Sequence, residues 1–136
     1  MKYLNVAIGI VLYNPDIEKL VENINRLKEI TDSIYFVDNG SDNVNKIKEV
    51  STIKVIYNDE NLGIAKALNQ LLFLSIDNNK DFLLTLDQDS KMNIECFKNL
   101  YKYHNISKVA IICPIINDLN KVKSKTIKEE YKFINR

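Results

Sequence analysis

Asp87-Gln88-Asp89 is the sharpest chemical feature of this sequence. The two carboxylates lie two residues apart, directly after the apolar run Phe82-Leu83-Leu84-Thr85-Leu86. If strand geometry persists through Asp87, a period of two turns both side chains to one side. Two oxygen donors at that spacing suit Mg²⁺ or Mn²⁺, which keep several waters and take further ligands from substrate phosphates. A plainer role competes with this one, in which Asp89 or Ser90 only caps the next helix. Asp38 ends another apolar stretch and precedes Asn39-Gly40-Ser41, where Gly40 permits a tight turn. A carboxylate there can accept a hydrogen bond from a base N–H or a ribose hydroxyl; a purely local turn is the competing account. Asn61-Leu62-Gly63 opens a third polar segment. Gly63 allows close backbone approach, a helix N-terminus behind it favours an anion, and Lys66 lies one turn further in. Lys66 reads equally as a surface lysine.

These groups need a scaffold, and the apolar pattern supplies one. Leu4 to Leu12 is a near-continuous apolar run, as expected of a strand buried on both faces. Asn14-Pro15-Asp16 follows, with Pro15 suited to a first helical position and Asp16 and Glu18 favouring the positive end of the helix dipole. Ile17, Leu20, Val21, Ile24 and Leu27 then recur at helical spacing. Ile34 to Val37 predicts a second strand and Ile53 to Tyr57 a third, with a short helix through Val44, Ile47 and Val50 between them. Asn61 is placed to cap a long helix carrying Leu62, Ala65, Leu68, Leu72 and Ile76. Phe82 to Leu86 predicts a fourth strand. Ile94, Phe97, Leu100 and Tyr101 predict a fourth helix, and Val109 to Cys113 a fifth strand stopped by Pro114. Alternation of this kind implies an α/β fold, a mostly parallel sheet with helices on both faces. Ligands then bind outside the carboxyl ends of the strands. Those ends carry Tyr13-Asn14, Asp38-Asn39, Asn58-Asp59-Glu60-Asn61 and Asp87-Gln88-Asp89. Carboxylates gathered on one edge repel one another unless a cation sits among them.

The 136 residues suit one compact domain, and at 46% apolar content they can build a core. A net charge of +1 gives no electrostatic footprint for nucleic acid. Cys96 and Cys113 have no metal-ligand spacing and read as reduced, buried thiols of a cytoplasmic protein. The N-terminus carries no pattern of a signal peptide, and no apolar run nears the roughly 20 residues that span a bilayer. His104 lies near a helix end, where a cation is favoured. Lysines 121, 123, 125, 128 and 132 give residues 118–136 the look of a solvated, basic tail.

Four segments together carry a resemblance: Val11-Leu12-Tyr13-Asn14-Pro15, Val37-Asp38-Asn39-Gly40-Ser41, Asn61-Leu62-Gly63-Ile64-Ala65-Lys66-Ala67-Leu68-Asn69 and Leu86-Asp87-Gln88-Asp89-Ser90. In this order, each at a strand end, they resemble the family 2 glycosyltransferases, in particular the rhamnosyltransferase-like branch. Cys113-Pro114-Ile115-Ile116-Asn117 fits the same pattern. The resemblance implies a Rossmann-like GT-A nucleotide-binding half over residues 1–117, followed by the start of a truncated or missing acceptor half over residues 118–136. It implies inverting transfer of a sugar from a nucleoside diphosphate sugar to an acceptor hydroxyl in cell-surface polysaccharide synthesis. The Asp-Gln-Asp-Ser form looks like relatives that use dTDP-L-rhamnose. By position, Tyr13 and Asn14 would lie near the nucleoside and Asp38 would bond the nucleobase. Asn61, Gly63 and Lys66 would line the pocket, and Asp87 would meet the ribose or the water shell of the metal. Asp89 would coordinate the Mn²⁺ or Mg²⁺ on the diphosphate. The saccharide or lipid-linked acceptor and the general base belong to the half expected beyond this chain, so self-association into a dimer and work at the inner face of the membrane are further expectations.

Two other classes compete. A Mg²⁺-dependent nucleotidyltransferase also uses acidic strand ends, but should show a Gly-rich phosphate loop, and the glycines are only Gly9, Gly40 and Gly63. A non-catalytic nucleotide-binding module would keep the pocket and lose the transfer. A dinucleotide-binding domain is disfavoured because no Gly-x-Gly-x-x-Gly follows the first strand.

Overall fold

The computed structural model describes residues 2–50 and 53–114. Its β-strands follow the apolar runs: β1 spans Val6–Leu12, β2 Ile34–Asn39, β3 Lys54–Asn58 and β4 Phe82–Asp87. The helices fall between and after them, α1 over Ile17–Leu27, α2 over Val44–Val50, α3 over Ile64–Asp77 and α4 over Ile94–Tyr101. All four strands are parallel, in the order β3-β2-β1-β4. The chain steps outward from β1 through β2 to β3, then returns to the far side of β1 for β4. That reversal makes the gap between the carboxyl ends of β1 and β4 the switch point of the sheet, where open α/β sheets bind ligands.

Each face of the sheet has its own core. Ile8, Ile10, Leu12 and Phe36 point to one side, where Leu20, Ile24 and Leu27 of α1, Ile47 of α2 and Phe97 of α4 bury them. Ala7, Tyr35 and Val37 point to the other and meet Ala67 and Leu71 of α3. Helices therefore cover both faces, as the alternation predicts. Among the described residues α3 is alone on its side. No helix of the described residues is long and apolar enough to cross a membrane.

Several expectations change in detail. Pro15 precedes the helix instead of starting it. Asp16 is the N-cap of α1, and its carboxylate accepts from the Lys19 N–H at 3.2 Å. That hydrogen bond, aided by the charge of Lys19, holds the Asp16 carboxyl below the usual range. Asn61 does not cap α3. The N-cap is Gly63, which has no side chain to offer, while the Asn61 Oδ1 accepts the Gly63 N–H at 2.9 Å. β4 is only half-buried, because it is the edge strand beyond β1 among the described residues. Val109 to Cys113 forms no strand: it has no ladder partner there, and Ile111 is 84% exposed. Cys96 and Cys113 are free but exposed, not buried. α4 turns Phe97 into the core, which leaves Cys96 on its outer side. His104 meets its expected place, with Nδ1 2.7 Å from the Tyr101 carbonyl oxygen at the end of α4.

Gly40 and Gly63 both have φ of 82°. A Cβ on Gly40 would lie 2.6 Å from the Glu60 carbonyl carbon and 2.9 Å from the Asn61 nitrogen, whereas one on Gly63 would meet nothing within 4 Å. Gly63→Ala should therefore cost about 1–3 kcal/mol, the penalty of a backbone conformation (φ 82°, ψ 158°) essentially confined to glycine. Gly40→Ala adds a backbone clash and should cost about 3 kcal/mol or more. Urea unfolding of the two variants checks this, and equal losses would contradict the packing of the β3–α3 loop over the β2 turn.

Candidate functional site

The sheet ladder stops at Leu12, Asn39, Asn58 and Asp87, and the chain must satisfy the backbone groups beyond those points by other means. Amide side chains do much of this. The Gln88 Oε1 accepts the Tyr13 N–H at 2.9 Å, and its Nε2 donates to the Tyr13 carbonyl at 3.2 Å. The middle residue of Asp-Gln-Asp thus extends the β1–β4 pairing by one step and fixes the two strand ends together. Asn14, at φ 47°, ties β1 to β2: its N–H donates to the Ser41 Oγ at 2.8 Å and its Oδ1 accepts the Asp42 N–H at 2.8 Å. Asn39 ties β2 to the loop before α3. It donates to the Asn61 Oδ1 at 2.9 Å and accepts the Leu62 N–H at 3.0 Å. Asn58 and Gln70 exchange two amide hydrogen bonds, of 3.0 and 2.9 Å, below that loop.

A cleft of about 630 Å³ opens between these fixed ends. Tyr13, Asn39, Asn61, Asp87, Gln88 and Ser90 give it polar walls, Ile64 and Leu68 of α3 an apolar one, and Pro114 closes the rim. Of the residues picked from sequence, Tyr13, Asn61 and Asp87 line it. Gly63 lies between Asn61 and Ile64, and the space where its side chain would be is open, so this chain makes no close approach to it. Asn14 supports the rim through its backbone and side-chain bonds. Lys66 is exposed and is not part of the wall.

Asp87 and Asp89 line two adjoining pockets that share Gln88 and Ser90. Strand geometry ends at Asp87, and the Ser90 N–H donates to the Asp87 carbonyl at 3.0 Å to make a turn. Asp89 then lines the adjoining pocket of about 240 Å³ against α1, with Lys19, Asn23, Arg26 and Lys91. The Asn23 Nδ2 donates to the Ser90 carbonyl at 3.1 Å and anchors that turn to α1. The capping alternative for Asp89 and Ser90 falls, because Asn93 caps α4, accepting the Cys96 N–H at 2.8 Å. Among the described residues neither Asp87 nor Asp89 has a cation within ion-pair distance. No group of three or more His, Cys, Asp or Glu side chains that could hold a metal occurs among them either.

Asp38 is buried, at 1% exposure. The Ser41 N–H reaches its Oδ2 at 3.3 Å, and its Oδ1 has no hydrogen-bond partner. The ladder pairs Asp38 with Tyr57. Partial burial, and then the Asp38 charge, raise the Tyr57 phenol above its ordinary range. An unpartnered buried carboxylate oxygen costs free energy, and the turn supplies no donor to recover it.

Sequence reasoning placed Asn39 and Asn58 at this edge without a role for their amides, and missed Gln70 and Asn23. Each is a common loop or helix residue, and its importance lies in which neighbour its amide reaches. Gln88 stood in plain view between two carboxylates, with no pattern to show that it bonds backbone.

The chain matches the model of Glycosyl transferase family 2 over residues 7–134, beyond Asn117 and into the Lys-rich stretch. It is also similar to the dTDP-rhamnosyl transferase RfbF of Shigella flexneri, 30% identical over 119 residues. That alignment covers 86% of this chain and 40% of the relative, so the chain spans less than half the length of that protein. With a parallel sheet, a cleft at its switch point and a family match over nearly its whole length, this chain belongs to glycosyl transferase family 2.

Proposed function

We propose that this chain is the donor-binding part of an inverting glycosyltransferase that moves a sugar from a nucleoside diphosphate to an acceptor hydroxyl. The observation that carries the reading is the cleft at the β1–β4 switch point, with Asp87 on its wall and Asp89 one turn away. Tyr13 and Asn61 line the space for the nucleoside. Asp87 meets the ribose or the water shell of the cation. Asp38 offers its unpartnered Oδ1 to a nucleobase N–H; the atom is covered in this structure, so the strand-end loops must part to admit the base.

The donor set suits Mg²⁺ or Mn²⁺ in a particular way. The two carboxylates lie on either side of Gln88; Asp89 would hold the cation directly, in a pocket that Lys19, Arg26 and Lys91 also line, and Asp87 would meet it through water. Bound there, the cation supplies charge neutralisation for the departing diphosphate. The chain's own part is to hold the diphosphate between the turn at residues 87–90 and the start of α3, whose first amides carry no side-chain cap. No residue of the cleft is nominated as the general base.

The name of the 30% identical relative supports dTDP-L-rhamnose as the donor. A saccharide or lipid-linked acceptor of a cell-surface polysaccharide, reached at the cytoplasmic face of the membrane, completes the proposal. Calorimetric titration with dTDP, UDP and GDP, with and without Mn²⁺, tests it. The expected order places dTDP first, with binding strengthened by the metal. Failure of all three nucleotides to bind would overturn the reading.

Two substitutions separate the roles. Asp89→Asn should weaken nucleotide binding about tenfold in Mn²⁺, near 1.4 kcal/mol, and leave binding in EDTA unchanged. Equal affinity of the native chain in Mn²⁺ and in EDTA would remove the metal role. Asp38→Asn should weaken binding by a similar factor of about ten whether metal is present or not. Because the Asp38 Oδ1 has no partner in the free chain, the change should not lower the melting temperature. A large drop in that temperature with unchanged affinity would make Asp38 a structural residue.

A further inference from the structure

The buried side of α1 holds one residue that hydropathy does not put there. Leu20, Asn23, Ile24 and Leu27 are the buried positions, at the spacing i, i+3, i+4 and i+7 of an amphipathic helix. Three are aliphatic and join the core. Asn23 is an amide, and it is only 5% exposed. Its Nδ2 donates to the Ser90 carbonyl at 3.1 Å. Its Oδ1 is buried and has no hydrogen-bond partner among the described residues. A half-satisfied buried amide is a poor way to hold a core together, because the orphaned acceptor offsets what the single bond contributes. A leucine of nearly the same shape would continue the apolar stripe. Stability alone does not account for the amide, and its one bond points to what does.

That bond ends on the turn at residues 87–90. Gln88 holds one side of the turn through its two hydrogen bonds to the Tyr13 backbone. Asn23 holds the other side at Ser90. Asp89 is the residue between these two anchors. It is exposed and forms no ion pair among the described residues, so no neighbouring cation fixes its carboxylate. The backbone on either side of it sets where that carboxylate stands. Asn23 and Asp89 also share the walls of the smaller pocket, where the half-buried Ser90 joins them.

We propose that Asn23 is a positioning residue for Asp89, kept in the buried side of α1 at some expense of stability. The proposal rests on the donor-binding reading, in which Asp89 holds the cation. A ligating side chain must be held to within about 0.5 Å of its working place, and hydrogen bonds behind it do this. Asn23 ties the Ser90 carbonyl to a packed helix and so fixes the backbone next to Asp89. Without the amide, the Ser90 carbonyl turns to water through the adjoining pocket, and the turn moves with it. Asp89 then loses its placement. Tyr13 and Asn61 lie in the larger cleft and are not tied to α1 through this bond, so the contacts to the nucleoside stay.

Calorimetric titration of the full chain with dTDP, in Mn²⁺ and in EDTA, tests it beside thermal unfolding. Asn23→Leu should weaken binding in Mn²⁺ about tenfold and leave binding in EDTA unchanged. Its melting temperature should equal the native value or exceed it, because the orphaned acceptor is gone. Asn23→Ala removes the amide without asking a larger apolar group to pack, and it should show the same split in binding. In an Asp89→Asn chain, Asn23→Leu should have no further effect in Mn²⁺, since it acts only through that carboxylate. Equal losses in Mn²⁺ and EDTA, a further loss on top of Asp89→Asn, or a lowered melting temperature with native affinity would make Asn23 a part of the scaffold and overturn the proposal. A native chain that binds dTDP no better in Mn²⁺ than in EDTA would overturn the metal role of Asp89 and this proposal with it. A native chain strengthened by Mn²⁺, beside an Asn23→Leu chain with the same response, would overturn this proposal alone.

Discussion

A parallel sheet must end somewhere, and at its carboxyl edge the backbone groups lose their ladder partners together. An unpaired group that is also buried costs on the order of 1–3 kcal/mol. This chain meets that constraint with side-chain amides. Gln88 continues the ladder between β1 and β4, Asn14 joins β1 to β2, and Asn39 holds the loop that leads into α3. The cleft is the space between ends fixed in this way. Its walls are set by bonds that do not involve a ligand, so the open part of the site is formed before anything enters it, and only the covered Asp38 has to be uncovered.

The same economy explains where the acids stand. Amides give both a donor and an acceptor, and they can close a backbone gap from either side. Carboxylates only accept, and beside two strand ends they find few N–H groups left. Asp38 keeps one oxygen without a partner, and Asp87 and Asp89 are exposed and form no ion pair among the described residues. Neutral groups hold the scaffold and charged groups remain available. That division of labour is the physical basis for assigning ligand contacts to the carboxylates. It also accounts for Gln88 between the two acids: a carboxylate there would accept from the Tyr13 N–H but could not donate to the Tyr13 carbonyl.

Much of this was legible in the residues. The apolar runs gave four strands and the spacing of Leu20, Ile24 and Leu27 gave a helix, because burial alone determines those patterns. The acids at the strand ends were legible too, because β-strands in an α/β chain point their carboxyl ends one way. Three kinds of error remained. Caps were misassigned where neighbouring polar residues compete: Asp16 reaches the Lys19 N–H and takes the cap position, leaving Pro15 outside the helix, and Asn61, two residues before the cap, bonds the N–H of the cap residue Gly63. The run from Val109 to Cys113 has the composition of a strand, but a strand also needs a partner, which composition does not record. The pairing of Asp87 with Asp89 assumed two residues of continuous strand, and one turn hydrogen bond from Ser90 to Asp87 breaks it. Residues 118–136, read as a tail, lie outside the described residues, and the family match extends through most of them.

The central claim is that a nucleoside diphosphate occupies the preformed cleft at the carboxyl edge. Backbone amide resonances of the isotope-labelled chain, followed during titration with dTDP and Mg²⁺, test it most directly. The account predicts shifts concentrated at Tyr13 and Asn14, at Asp38 to Ser41, at Asn61 to Ile64 and at Asp87 to Ser90, with little change at the opposite ends of the strands. Shifts confined to the amino edge, near Asn5, Ser33 and Asp81, would contradict it.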